Sequence, residues 1–280
     1  MTRPSAHQLR SVPYGEERLP AGHNLPRHQH LDAYVTVVLE GRFEQAGYVG
    51  RYAMGPGDIL IQPTLDSHAS RMLSSGVKLL RLPWARDTGF GGVYRGMDID
   101  TLQRTATSCI GEAALCLQEI LKGAHMIQEI APDWEDIVAR RLRADRNIAV
   151  QKLAEEMHLS REALSRGFKR RYGTSPVSFR IEMRVQEAWL RLTGSRDPLS
   201  AIASDAGFAD QSHMTRAVVA LTHKTPSFWR SRFDGITLNA NSTKPVNPKH
   251  GSLPSSPGGI LCMSPRQSVR RWRMRKRLLG

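Results

Sequence analysis

"AIASDAGFADQSHMTR", residues 201–216, is the stretch on which the fold turns. An alanine-rich segment runs into Gly207-Phe208, and three residues later a second segment begins that ends in Thr215-Arg216. The same plan stands about fifty residues earlier in "KLAEEMHLSREALSRGFKRRYGTSP", residues 152–176. A short helix, a tight break and a second helix opened by a small polar residue make a helix-turn-helix unit. In the first unit, residues 150–157 form the first helix, Ser160 is the N-cap, and residues 161–172 form the second helix with Leu164 and Phe168 inward. In the second unit, residues 199–206 precede Gly207, which supplies the positive φ of the turn, and residues 211–221 follow with Met214 and Val218 inward. Leu164, Ser165, Arg166, Phe168, Pro176, Phe179 and Arg180 recur fifty residues on as Met214, Thr215, Arg216, Val218, Pro226, Trp229 and Arg230. A duplicated unit explains that register; chance does not.

The second helix of each unit then has a polar outward face. It carries Arg161, Glu162, Ser165, Arg166, Lys169 and Arg170 in the first unit, and Gln211, Ser212, Thr215 and Arg216 in the second. A lone arginine on a helix is ordinarily solvated, but a matched pair at the same position of two such helices points to DNA. Its two-pronged donor fork fits guanine O6 and N7, or a phosphate. Gln211 and Ser212 suit base reading and helix capping equally well. Phe168, Phe179, Phe208 and Trp229 read as core. Between the units, Ile181, Val185, Ala188 and Leu192 are spaced four, three and four, a helical stripe. A helix over 177–192, roughly 24 Å long at 1.5 Å per residue, is suited to set two recognition helices about one DNA turn apart, roughly 34 Å.

Residues 133–234 resemble the DNA-binding domain of AraC/XylS-family transcription regulators. The resemblance is carried by residues 153–176, by Arg184-Val185 and Ala188 in the connecting helix, and by residues 202–216 followed by Thr225-Pro226. It implies sequence-specific binding of double-stranded DNA, with RNA polymerase as a further partner. One departure is visible. The family usually follows its second recognition helix with an aromatic and basic residues, whereas this chain has Val218-Val219-Ala220, which shifts phosphate contacts towards Lys169, Arg170 and Arg171.

Charge agrees with that division. Of the formal net charge of +14, residues 1–130 contribute nothing, with 13 Lys/Arg against 13 Asp/Glu. Residues 131–234 hold 18 against 13, and residues 235–280 hold 9 against none. A neutral module joined to a basic one is the electrostatic footprint of a polyanion binder. The N-terminal twenty residues lack the apolar run of a signal peptide, so the expectation is a cytoplasmic protein with no membrane partner. Three cysteines, none in a CxxC pair, cannot make a disulfide framework.

The neutral part, residues 1–106, reads as short strands at "AYVTVVLEGRFEQAG", "GDILIQP" and "VKLLRLP", the pattern of a small antiparallel barrel. Gly22, His28, His30 and Gly41, with Gly57, Pro63 and His68, have spacings that resemble the two cupin motifs. Metal-bearing cupins converge two histidines, a glutamate and a third histidine on one ion; here Tyr34 stands in the place of the glutamate. A phenol titrating near 10 is a poor substitute for a carboxylate. The expectation is therefore an organic-effector pocket lined by His28, His30, Tyr34 and His68, with no metal and no cofactor. Three converging imidazoles remain the alternative, as a Zn or Fe site.

From Ile110 the pattern changes to Ile110, Ala113, Leu117, Ile120, Ala124 and Ile127, a heptad seam within residues 107–130. That helix is the candidate dimerisation element, and burial against its own barrel is the alternative. Residues 235–280, rich in Ser, Pro and Asn and ending in a basic cluster, read as a disordered tail. The sequence thus predicts an α+β chain: an N-terminal cupin-like β-barrel with helices, then an all-α tandem helix-turn-helix domain. Its expected function is a homodimeric, non-enzymatic transcription regulator that senses a small-molecule effector. A cupin metalloenzyme with an accessory DNA-binding domain is the alternative.

Overall fold

The computed structural model describes residues 9–10, 12–73, 76–84, 91–95, 99–121, 125–126 and 132–231. Two sheets make the N-terminal domain. The strands are β1 (Leu9–Arg10), β2 (Gly15–Pro20), β3 (Asn24–His30), β4 (Tyr34–Glu40), β5 (Phe43–Ala46), β6 (Arg51–Met54), β7 (Ile59–Gln62), β8 (Ser67–Met72), β9 (Gly76–Pro83), β10 (Gly92–Arg95) and β11 (His125–Met126). One sheet runs β1-β3-β8-β5-β6 and the other β11-β10-β7-β4-β9-β2. All pairings are antiparallel except β1 with β3.

Strand residues alternate between faces, and the apolar residues sort accordingly. Phe43, Met54, Leu60, Met72, Val77 and Leu79 fill the barrel interior. Val35, Val37, Ile59, Ile61, Leu80 and Leu82 cover the outer face of the six-stranded sheet, beneath α1 (Ile99–Ser108) and α2 (Ile110–Leu121). The heptad seam is therefore taken up by the chain's own barrel, because Ala113, Ala114, Cys116 and Leu117 are the buried face of α2. The helix is also shorter than its periodicity predicts. It ends at Leu121, two residues before Gly123, whose helix propensity is about 1 kcal/mol below alanine's. Beyond it, Met126 and His125 pair with Tyr94 and Arg95 as a strand. Ala124, Ile127 and the basic tail over 235–280 lie outside the described residues.

The C-terminal domain comprises α3 (Trp134–Ala144), α4 (Val150–Glu156), α5 (Arg161–Tyr172), α6 (Pro176–Gly194), α7 (Leu199–Asp205) and α8 (Gln211–Thr222), with a last helical segment at 226–231. Each helix-turn-helix unit has its own core. Leu164, Phe168 and Phe179 are buried in the first, and Met214, Val218 and Trp229 in the second. Internal bonds repeat with the sequence: Arg180 donates to the Ile148 carbonyl at 2.8 Å, and Arg230 donates to the Asp197 carbonyl at 2.6 Å. Each arginine thereby ties the end of its unit to the residue two positions before that unit's first helix. Backbone strain repeats too. The turn and the C-cap are left-handed in both units, through His158 (φ 55) and Gly173 (φ 70), then Gly207 (φ 82) and His223 (φ 57).

The two domains pack on each other along the outer face of β3 and β8. Arg27 and Glu182 on α6 form a buried pair at 2.5 Å, with side chains only 5% and 6% exposed. Arg27 also donates to the Tyr172 carbonyl at 2.8 Å, and Gln186 donates to the Thr64 carbonyl at 2.6 Å. A second cluster joins Arg51 on β6 to Asp133 and Asp136 of the α3 capping box, and Asp136 also accepts from the Tyr172 hydroxyl. Tyr48 and Leu31 complete the contact, packing against the first and second unit cores respectively.

Candidate functional site

The exposed face of the C-terminal domain is built by its caps. Ser160 accepts from the Ala163 amide at 3.1 Å, and Asp210 accepts from the His213 amide at 2.7 Å. Asp210 is thus the cap of α8. Gln211 and Ser212 follow it as exposed first-turn residues with no capping role. Arg161, Glu162, Arg166, Lys169 and Arg170 are exposed on α5 and Arg216 on α8, while Ser165 and Thr215 are half-buried beside them.

A census of the cations separates two groups. Arg161, Arg166, Lys169, Arg170 and Arg216 make no ion pair or hydrogen bond among the described residues. Other arginines of the domain are engaged: Arg141 with Glu156, Arg146 with Glu187, and Arg191 with Asp205. Arg171, expected as a phosphate contact, is instead held by Asp133 at 3.4 Å and Glu135 at 3.9 Å. Five uncommitted cations thus lie on the two recognition helices.

The second constellation lies inside the barrel. His28 and His68 are cross-strand partners on β3 and β8, and His30 follows two residues along, so all three project to one side. Their ring centroids are 4.4 Å (His28 to His68), 4.9 Å (His28 to His30) and 5.5 Å (His30 to His68) apart. One nitrogen from each lies within 4.8 Å of the others, and all three residues are buried. Tyr34 edges against His30 at 5.0 Å, its hydroxyl accepting from Gln62 at 2.6 Å, while Gln62 accepts from Thr36 at 2.9 Å.

Two of the tautomers follow from the partners. His28 Nδ1 faces the Pro26 carbonyl at 2.9 Å, and His68 Nδ1 faces the Asp66 carboxylate at 3.1 Å. Both partners are acceptors only, so each Nδ1 carries a proton, and Nε2 is the nitrogen that offers a lone pair when the ring is neutral. Burial works to raise the Asp66 pKa, but hydrogen bonding and charge from His68, with the Tyr48 amide and Arg27, hold it below the usual carboxylate range. Burial, reinforced by Asp66, pushes the Tyr34 phenol well above its ordinary value, so Tyr34 is a neutral hydrogen-bonding group there. At the margin, Arg81 is ion-paired to Glu17, and burial lowers its pKa to about 10.

This donor set fits a divalent transition metal. Imidazole nitrogens oriented from behind by a carboxylate and a carbonyl are the arrangement that fixes metal-binding tautomers. His28, His30 and His68 would hold the ion, and Tyr34 would not. Such an ion would supply positive charge and a Lewis-acid centre. The cavity between these groups has a volume of about 20 Å³, room for one or two water-sized occupants. Asp66, Gln62 and Thr36 were missed by the sequence reading. The signal for Asp66 was available: a carboxylate two residues before His68 in "LDSH".

A helix-turn-helix pair capped, cored and cross-tied in duplicate is thus joined to a two-sheet barrel with an internal polar pocket. Residues 153–232 match the family model of a helix-turn-helix domain. The arabinose operon regulatory protein of Escherichia coli strain K12 is 32% identical over 88 residues, covering 31% of this chain and 30% of that protein. The HTH-type transcriptional regulator MtrA of Neisseria gonorrhoeae is 29% identical over 120 residues, 41% of this chain and 36% of that protein. The similarity to these regulators lies in the C-terminal helix-turn-helix domain. The chain spans about a third of the length of these relatives. Among solved structures, ToxT from Vibrio cholerae O395 aligns over 79% of this chain and 97% of its own, at 11% identity and a TM-score of 0.38. The DNA-binding domain of AdpA, solved with a target DNA, aligns over 37% of this chain and 94% of its own, at 22% identity and a TM-score of 0.34. Among the described residues no helix is long and apolar enough to cross a membrane.

Proposed function

We propose that the protein is a sequence-specific, DNA-binding transcription regulator. In this reading Arg161, Glu162, Ser165, Arg166, Lys169 and Arg170 of α5, and Gln211, Ser212, Thr215 and Arg216 of α8, contact successive major-groove segments of one duplex. The observation that carries it is the duplicated basic face: two recognition helices with matching internal ties, on which Arg161, Arg166, Lys169, Arg170 and Arg216 make no ion pair among the described residues. The 19 residues of α6 span about 28 Å at 1.5 Å each, a length suited to one DNA turn.

His28, His30, Tyr34 and His68 form the effector site in the same reading, and the small cavity favours an ion or a water-sized group over a bulky organic ligand. RNA polymerase is the further partner, and the site of action is the cytoplasm. A homodimer contact would have to use a surface other than the buried face of α2. Selection of binding sites from a random duplex pool with the purified full chain is the test. Enrichment of a motif with two half-sites about one helical turn apart is the expected result; recovery of unenriched sequence at all salt concentrations would exclude the reading.

A further inference from the structure

The histidine pocket and the DNA-reading domain sit on opposite faces of the same two strands. On β8, His68 and Ser70 face the pocket, while Ser67 and Ala69 face the C-terminal domain. A Cβ added to Gly173, the C-cap of the first recognition helix, would stand 3.4 Å from the Ala69 Cβ and 3.1 Å from the Arg27 Cβ. On β3, His28 and His30 face in and Arg27 faces out to Glu182. The strand register shifts between Leu25 and His28, so Arg27 lies within an irregular stretch of backbone directly beside a pocket histidine.

The same arrangement recurs on the loop that leads into β8. Leu65 is held at φ 58, a left-handed conformation that a bulky residue adopts only when its surroundings impose it. It is 2% exposed and lines a small cavity with Arg27, Phe179, Glu182 and Gln186. Its neighbours run both ways. Thr64 accepts from Gln186 on α6, and Asp66 orients His68.

We infer that occupancy of the histidine pocket by a divalent transition-metal ion and docking of α6 on the β3–β8 ribbon are positively coupled. An ion held by His28, His30 and His68 cross-links β3 to β8 and orders the irregular backbone from Leu25 to His28. The Arg27–Glu182 pair orders the same backbone from the other side. Whichever event comes first removes freedom that the second would otherwise have to remove, so each strengthens the other. A movement of the side chains is also required. Two metal–nitrogen bonds of about 2.1 Å span at most about 4.2 Å, less than the 4.8 Å within which the nitrogens lie. The inference rests on the regulator reading only in its final step, where α6 carries both recognition helices.

Linkage makes the coupling measurable from the metal side alone, because the factor by which docking changes metal affinity equals the factor by which metal changes docking. The full chain, stripped with chelator, is titrated with Co²⁺ and followed by its visible absorption and by calorimetry. Wild type should bind one equivalent. Glu182→Gln and Gln186→Ala, both on α6 and outside the pocket, should each weaken Co²⁺ binding by about fivefold or more. Asp136→Asn, which loosens the Arg51 contact on β6 and reaches the ribbon only through Tyr172, should cost clearly less than either α6 variant. Hydrogen exchange on wild type should slow with Co²⁺ in β3, in β8 and also in α6. Failure to bind Co²⁺, unchanged affinity in both α6 variants, an equal loss in Asp136→Asn, or slowing confined to the barrel would each overturn the inference. If Glu182→Gln fails to fold, Gln186→Ala and the exchange pattern decide. All these outcomes leave site selection on DNA, and so the regulator reading, to stand or fall separately.

Discussion

Arg166 and Arg216 occupy the same position of two recognition helices, and neither has a partner within the described chain. Replacing either with alanine should cost about 1–3 kcal/mol of specific DNA affinity and much less on random duplex, since an arginine on a base edge carries discrimination. Filter binding on the selected site and on a scrambled one measures the difference; an equal loss on both would assign these residues to phosphate. His158 and His223 pose a different problem. Both sit at positive φ, where the first unit uses glycine at its C-cap and the second uses glycine at its turn. His158→Gly and His223→Gly should each stabilise the domain by about 0.5–1 kcal/mol, read as a shift of the urea midpoint, because the left-handed conformation costs a β-carbon more than it costs glycine. At this scale the sequence was legible wherever chemistry is local. The N-cap Ser160 and the glycine turn at Gly207 stand where their types place them. Arg171 was not legible: nothing in its neighbourhood along the chain announces Asp133 and Glu135.

Elements depend on contacts that their own periodicity does not reveal. Gly167 lies mid-helix in α5, and a β-carbon there would approach Trp134 Cζ2 to 2.4 Å. Gly167→Ala gains about 1 kcal/mol of helix propensity but forces apart a ring and a helix, an overpacking that costs about 1–3 kcal/mol. The expected result is net destabilisation in thermal unfolding, reversed when Trp134 is replaced by leucine in the same chain. A more stable single mutant would show that α3 yields freely. The same limit explains the fate of α2. Its three-and-four spacing is real over Ile110 to Leu121, but a heptad pattern says only that a face is apolar, not what covers it. The barrel covers it here, and β10 captures Met126 as a strand partner. The helix-turn-helix units, by contrast, were readable almost residue for residue, because caps, turns and inward positions recur twice and each copy checks the other.

For the whole molecule, the domain contact is carried by charge. Arg27 and Glu182 are 155 residues apart, and charged residues taken singly read as solvent-facing, so no local pattern revealed the pair. Acid should test this contact. Burial acts to raise the Asp136 pKa, but hydrogen bonds from Arg51 and Tyr172 and the charge of Arg51 hold it below the ordinary value; Asp66 is likewise lowered. A carboxylate depressed in the folded state contributes stability that is complete above its unfolded value near 4 and is lost as pH falls through the folded value. The urea midpoint should therefore be insensitive to these two groups between pH 5 and 7 and fall below about pH 4. Asp136→Asn should be less stable than wild type at neutral pH and should narrow that fall.

The two-faced ribbon also leaves a mark on descent. A strand ordinarily drifts as a unit under one set of constraints, but β3 answers to two neighbours that change independently. Substitutions at His28 and His30 should be matched across lineages by substitutions at Tyr34 and His68. Those at Arg27 and Leu31 should follow Glu182 and the second-unit core instead. Aligned orthologues would then show covariation split by the parity of position along β3, with a change of phase at the bulge between Leu25 and His28. Selection would be reading the pleat of a single strand as two separate histories.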